Sequence, residues 1–149
     1  MKTLINNYKL YLLVTLVTLF ISCSSDDDAP EPTPEPTTAE LLANKWYFVK
    51  VVDNTTTPPT ETILDDCQQN SYLDFKEDGS IVQEQFFLDG SSCASSGISY
   101  LAYTLNDDEN QISMILEDDS TVIAPINVLT ETELVITSYD GNNEIHFSR

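Results

Sequence analysis

The side chains best suited to chemistry are three cysteines (Cys23, Cys67 and Cys93), one histidine (His146) and 25 carboxylates set against six Lys and Arg. No nucleophile motif, Gly-rich phosphate loop or His-based metal set accompanies them. His146 stands between Ile145 and Phe147, so strand alternation turns it to solvent as ordinary polar surface. The pairs Asp65-Asp66 and Asp118-Asp119 and the run Asp107-Asp108-Glu109 lack the ligand spacing of a calcium loop and read as solvated turns. Nothing selects a carboxylate pair for glycoside hydrolysis. The expectation is no metal, no cofactor and no enzymatic activity.

The cysteines say more. Lys2 and Lys9, the apolar stretch Leu10–Ile21, then Ser22 and Cys23 describe a secretory signal whose cleavage leaves Cys23 as the first residue. A retained spanning helix needs roughly 20 apolar residues, and this run is too short. Phe20-Ile21-Ser22-Cys23 resembles a bacterial lipobox, which implies a palmitate-type acyl anchor on Cys23. Phe20 departs from the Leu, Val or Ile usual at that place, so an ordinary cleaved signal without lipid is the alternative. Ser25-Asp26-Asp27-Asp28 resembles the acidic export tag of Bacteroidetes-type lipoproteins. That tag implies the outer membrane and exposure at the cell surface, with the periplasmic face as the alternative. Alternate prolines in Ala29–Pro36 hold the chain near polyproline II geometry, a stalk of about 40 Å from Ser24 at about 3.1 Å per residue.

Export also fixes the redox setting. With Cys23 taken by lipid, Cys67 and Cys93 form an even pair that reads as a disulfide. It would close a loop of about 27 residues and contribute on the order of 3–4 kcal/mol. Two free thiols are the alternative; a metal site is unsupported, with one histidine and no CxxC. Removing residues 1–22 leaves four Lys and Arg against 25 acids, a net charge of about −21. That charge excludes nucleic acid and anionic lipid as partners. The chain divides into a signal (1–22), a lipidated, acidic, Pro-rich tether (23–36) and one folded domain (37–149), large enough for a core of its own.

The elements that position these groups are nearly all strands. Thr37 and Glu40 form a capping box, and Leu41-Leu42 make a short helix that Asn44 can end. Eight strands follow at Lys45–Asp53, Ser71–Lys76, Ser80–Leu88, Ile98–Asn106, Gln111–Glu117, Thr121–Val128, Glu133–Tyr139 and Glu144–Ser148. Glu77-Asp78-Gly79, Asp107–Asn110 and Asp140–Asn143 are hairpin turns, so neighbours are antiparallel. Strand one is apolar on both faces, as when a helix or loop covers its outside. Strand three has no certain register, and Pro125 predicts an irregularity in strand six. The expected fold is all-β: an eight-stranded antiparallel up-and-down barrel, which removes exposed edges, or else a two-sheet sandwich.

Leu41-Leu42-Ala43-Asn44-Lys45-Trp46 resembles the opening "Leu-x-Gly-x-Trp" of small bacterial lipocalin-like domains, with Asn44 in the glycine place. Asp65-Asp66-Cys67, Leu73-x-Phe75-x-x-Asp78-Gly79, Cys93, Tyr103-x-Leu105 and Leu129-Thr130-x-Thr132-Glu133-Leu134 follow in that family's order. The resemblance spans Glu40–Arg149 and implies an eight-stranded lipocalin-like barrel. Trp46, Phe48, Leu73, Phe75, Tyr103, Met114, Leu116, Leu134, Ile136 and Phe147 are the candidate interior residues. Such an interior is either just filled by side chains or holds one small ligand, and a chain this short favours filling. Tyr72, Tyr100 and Tyr139 have the opposite parity and face outward. Two function classes stand. One is a membrane-anchored carrier of a small apolar or amphipathic ligand. The other is an interaction module with a filled core that contacts a protein or glycan. The expected state is a monomer attached to a membrane through Cys23.

Overall fold

Thr37 caps the first element of the domain: its hydroxyl accepts from the Glu40 N–H at 3.2 Å, and the Glu40 carboxylate accepts from the Thr37 N–H at 2.8 Å. This capping box opens α1, Thr38–Leu42. Asn44 closes it, donating its side-chain amide to Leu41 O at 3.0 Å and Glu40 O at 3.3 Å. The computed structural model describes residues 34–116 and 118–149, so the expected signal, Cys23, the acidic tag and nearly all of the stalk lie outside the described residues. Residues Glu35–Arg149 form one unit.

The described strands are β1 (Lys45–Asp53), β2 (Thr60–Ile63), β3 (Tyr72–Phe75), β4 (Ser80–Asp89), β5 (Ser92–Leu105), β6 (Gln111–Ile115), β7 (Thr121–Leu129), β8 (Glu133–Thr137) and β9 (Asn143–Ser148). Each pairs antiparallel with its neighbour in the order β2-β1-β3-β4-β5-β6-β7-β8-β9, and β9 returns to β1. That last pairing makes a closed barrel of eight strands and removes the sandwich alternative. β2 is an addition. It lies on the upper half of β1, from Lys50 to Asp53, while β3 takes the lower half from Lys45 to Tyr47.

Turn chemistry fixes the register. Gly79 has φ +83°, and a Cβ there would stand 3.3 Å from the Tyr103 carbonyl, so a side chain is resisted by both backbone strain and space. Asp78 and Asp118 each accept from the Ser two residues on, through its N–H and its hydroxyl. These bonds hold both carboxyls below the usual carboxylate range.

Three bulges interrupt the two-residue period, at Val49 in β1, beside Gly97 in β5 and at Asn127 in β7. The Val49 bulge explains why β1 reads as apolar on both sides. It flips the parity, so Trp46, Phe48 and then Val51 share the inner face, Val51 lying opposite Ile145. The outside is covered only in part: past the bulge Val52 is buried on the outer face, where β1 lies between β2 and β9, whereas Tyr47 nearer the start of β1 is exposed and α1 packs against the barrel's end at β7. The irregularity expected at Pro125 falls two residues later, at Asn127, and Pro125 itself stays in register opposite Gln111. β6 stops at Ile115, two residues short of expectation in sequence. The tight turn at Asp118–Ser120, with Asp119 at φ 61°, already engages Leu116, whose N–H donates to Ser120 O at 2.9 Å.

The core runs along the barrel axis. Leu42, Trp46, Phe75, Ile81, Ile112, Leu134 and Phe147 are its fully buried large side chains. Trp46 ties helix to barrel, its indole Nε1–H donating to Leu42 O at 2.9 Å. Phe75 meets Tyr103 edge-on with ring centroids 5.1 Å apart, and Phe48 tilts against Phe147 at 4.5 Å.

Candidate functional site: the barrel mouth and the seam beside it

The strand directions give the barrel a base, at α1, Lys45 and Phe75, and a mouth, where β1 and β4 end at Asp53 and Asp89. Burial differs between the two. Near the base the inner positions are sealed by Trp46, Phe75, Ile81, Leu134 and Phe147. Leu105, Ile126 and Leu129 at its rim are half-buried, and α1 packs there against β7. Toward the mouth, Phe48, Leu101, Met114 and Ile145 pack on the core with only part of their surface covered. Inner-parity polar residues join them. Gln83 lies opposite both Leu73 and Ser99 in the ladders. The mouth is thus an apolar floor with uncharged hydrogen-bonding groups above it.

A pocket of about 150 Å³ opens beside the mouth, lined by Phe48, Leu64, Gln68, Ser71, Gln85 and Phe86. Ser71 is buried, and its hydroxyl accepts from the Phe86 N–H at 2.9 Å. Phe48 belongs both to this pocket and to the core, so the two spaces share a wall. The segment 64–71 is held over the gap by Asp65, whose carboxylate accepts from the N–H of Cys67 at 2.9 Å and of Gln68 at 2.8 Å. Cys67 is bonded to Cys93, with Cα atoms 5.5 Å apart, which staples this segment to β5.

The ten interior candidates fall into three groups. Trp46, Leu73, Phe75, Tyr103, Leu134, Ile136 and Phe147 are in the buried core, and Phe48 and Met114 pack against it from the mouth. Leu116 is a correction: it lies past the end of β6 in the turn to β7 and is not part of the core. Leu42, Ile81, Ile112 and Ala124 complete the core. Tyr100 and Tyr139 are strongly exposed. Tyr72 is half-covered, with Lys45 Nζ 3.8 Å over its ring and its hydroxyl donating to Glu84 at 3.2 Å.

His146 lies on the outer face, as its parity requires, but it is not ordinary surface. Its side chain is 19 % exposed between Glu133, 3.7 Å from Nδ1, and Glu144, 3.8 Å from Nε2. Nε2 is buried without a hydrogen-bond partner among the described residues. The two carboxylates reach different ring nitrogens and so do not converge on one ion. Among the described residues no group of three or more His, Cys, Asp or Glu is placed to hold a metal. Nor is any helix there long and apolar enough to cross a membrane. Burial of Tyr103, whose hydroxyl donates to Lys76 O at 3.0 Å, pushes its phenol above the ordinary value.

Comparison with known proteins agrees with this architecture. The family model described as "Lipocalin-like domain" matches residues 42–136. Among solved structures the chain is similar to a lipocalin-like protein from Bacteroides uniformis. The TM-score is 0.52 at 17 % identity, over 73 % of this chain and 98 % of that one. At that identity the likeness concerns the fold alone. No curated protein matches the chain.

Proposed function

The chain belongs to the lipocalin-like domain family, and from that premise we propose that it is a lipid-anchored binding protein that takes a small apolar or amphipathic molecule at its barrel mouth. The observation that carries this reading is that Phe48, Leu101, Met114 and Ile145 stay only partly buried at inner positions beside the fully buried Trp46, Phe75, Ile81, Leu134 and Phe147. Each Å² of such apolar surface that a ligand covers contributes about 25 cal/mol. The sealed base limits the ligand to the upper half of the barrel. The charge of the mature chain, near −21, disfavours polyanionic ligands.

The anchor reading rests on Lys2, Lys9, Leu10–Ile21 and Phe20–Cys23, and the surface location on Asp26-Asp27-Asp28. Acylated Cys23 and the Pro-rich stalk would hold the barrel off the outer membrane at the cell surface. Two variants separate anchor from binding. Cys23→Ala should move the protein from membrane to soluble fraction and abolish metabolic labelling with radioactive palmitate. Met114→Trp, which fills the mouth, should abolish binding of the neutral dye Nile red and leave fractionation unchanged. Labelling that persists in Cys23→Ala removes the anchor, and dye binding that survives Met114→Trp removes the mouth.

One observation favours a second reading, a docking face for a protein or glycan. Ile98, Tyr100, Ile115 and Ile123 are exposed at outward positions of β5, β6 and β7, and no charged residue occupies an outward position between 98 and 104, 111 and 115, or 121 and 125. In so acidic a chain an uncharged face of that extent supports a contact surface. Tyr100→Asp tests it: partner capture should fall while Nile red binding stays.

A further inference from the structure

The barrel wall is not built of strands all the way round. β3 pairs with β4 only as far as Glu84, and the upper part of β4, from Phe86 to Asp89, has β5 as its only ladder partner among the described strands, with one side-chain bond, Phe86 N–H to the Ser71 hydroxyl, on the other side. β2 pairs with β1 and with no strand on its other side. Between β2 and upper β4 there is therefore a seam where the sheet is open. Segment 64–71 fills it, shaped by Asp65, carrying one 3-10 turn at Gln68–Asn70 and tied across to β5 by Cys67–Cys93. The 150 Å³ pocket is lined by this segment, through Leu64, Gln68 and Ser71, together with Phe48 of β1 and Gln85 and Phe86 of β4.

The lining of that pocket defines what it can take. Phe48, Leu64 and Phe86 are apolar, Gln68, Ser71 and Gln85 are neutral hydrogen-bonding groups, and none is charged. Its volume equals about five waters at roughly 30 Å³ each, enough for a small polar head but not for an acyl chain. Phe48, packed on Phe147, is the apolar wall that the pocket shares with the core, and a tail would run along it. We propose that the seam is a lateral ligand site that seats the neutral head of a single-chain lipid, an ester or alcohol of the monoacylglycerol kind, against Gln68 and Gln85, with its tail passing over Phe48 into the mouth. The site deepens the carrier reading and rests on it. An uncharged pocket in so acidic a chain selects against a carboxylate head, because the anion would meet no cation in the lining and would be repelled by the net negative charge.

The test uses the full-length protein, with monolauroylglycerol and laurate competing against Nile red. Monolauroylglycerol should displace the dye at a concentration about tenfold lower than laurate. Leu64→Trp, which fills the pocket, should weaken monolauroylglycerol by about tenfold or more, and Gln85→Leu, at an exposed position that folding tolerates, by several-fold. Neither should change the affinity for Nile red itself. Equal binding of laurate and monolauroylglycerol overturns the neutral-head assignment. Monolauroylglycerol binding that ignores both variants but is lost in Met114→Trp overturns the seam and leaves the carrier intact. A wild-type protein that binds neither dye nor lipid overturns the seam and the carrier together.

Discussion

Replacing both Cys67 and Cys93 with serine removes the disulfide that ties segment 64–71 to the β4–β5 hairpin. The bond spans 26 positions, and on the chain-entropy model a loop of that size contributes about 3.5 kcal/mol by restricting the unfolded chain. A domain of this length loses about 0.24 kcal/mol of stability per degree at its midpoint, so Tm should fall by about 15 °C. The barrel ladders themselves do not include the sulfurs. β1 pairs with β9 and β5 with β6 well away from the bond, so far-UV circular dichroism below the transition should be unchanged. Thermal unfolding followed at one wavelength, with urea unfolding alongside it, measures both quantities. A Tm within about 3 °C of wild type would refute the reasoning, because the unfolded chain would then not be significantly restricted by the bond. A large drop with lost sheet signal at low temperature would refute it differently, by showing that the segment holds the barrel closed.

Three further outcomes follow from particular contacts. Gly79→Ala places a side chain at φ +83° facing the Tyr103 carbonyl, and should cost about 1–2 kcal/mol in urea unfolding; a neutral result would mean the turn readily rearranges. Tyr103→Phe removes the hydroxyl bond to Lys76 O and should cost about 1 kcal/mol near neutral pH. Because the Tyr103 phenol is raised by burial, its contribution is complete below the ordinary tyrosine pKa and is lost as pH climbs through the folded value; the variant should therefore lose less stability above pH ~10 than wild type. Asp78 and Asp118 are lowered by bonds from Ser80 and Ser120, so their contribution is present above the ordinary carboxylate range and is lost as pH falls through their folded values. Carboxyl NMR titration should place both below the ordinary aspartate value, and Ser80→Ala, which removes the hydroxyl bond but keeps the backbone one, should move Asp78 part of the way back up.

The sequence was most readable where turn residues and caps act locally. Thr37 with Glu40, Asp78-Gly79 and Asp140-Gly141 mark their elements because each satisfies its own backbone or adopts a positive φ. The parts that could not be read depend on contacts between distant residues. β2, Thr60-Glu61-Thr62-Ile63, is exposed at every position and follows two prolines, so only its bonds to β1 make it a strand. The first six residues of β5, Ser92–Gly97, are all small, with no large apolar side chain to mark a strand, and are drawn into the sheet by β4. Bulges at Val49 and Asn127 shift the inner face by one residue, and a two-residue period has no way to signal that. The seam pocket was the hardest to anticipate. Leu64, Gln68, Ser71, Gln85 and Phe86 share no periodicity, and the one sequence signal for their meeting is the cysteine pair that folds segment 64–71 against β4 and β5.

The claim on which the rest depends is that the barrel carries a ligand. Native mass spectrometry of the full-length protein, extracted gently from its own membrane, tests it most directly. The account predicts a bound species of low mass that is released on activation and is absent from Met114→Trp. A wild-type protein that appears only at its bare, acylated mass under the same conditions would contradict it.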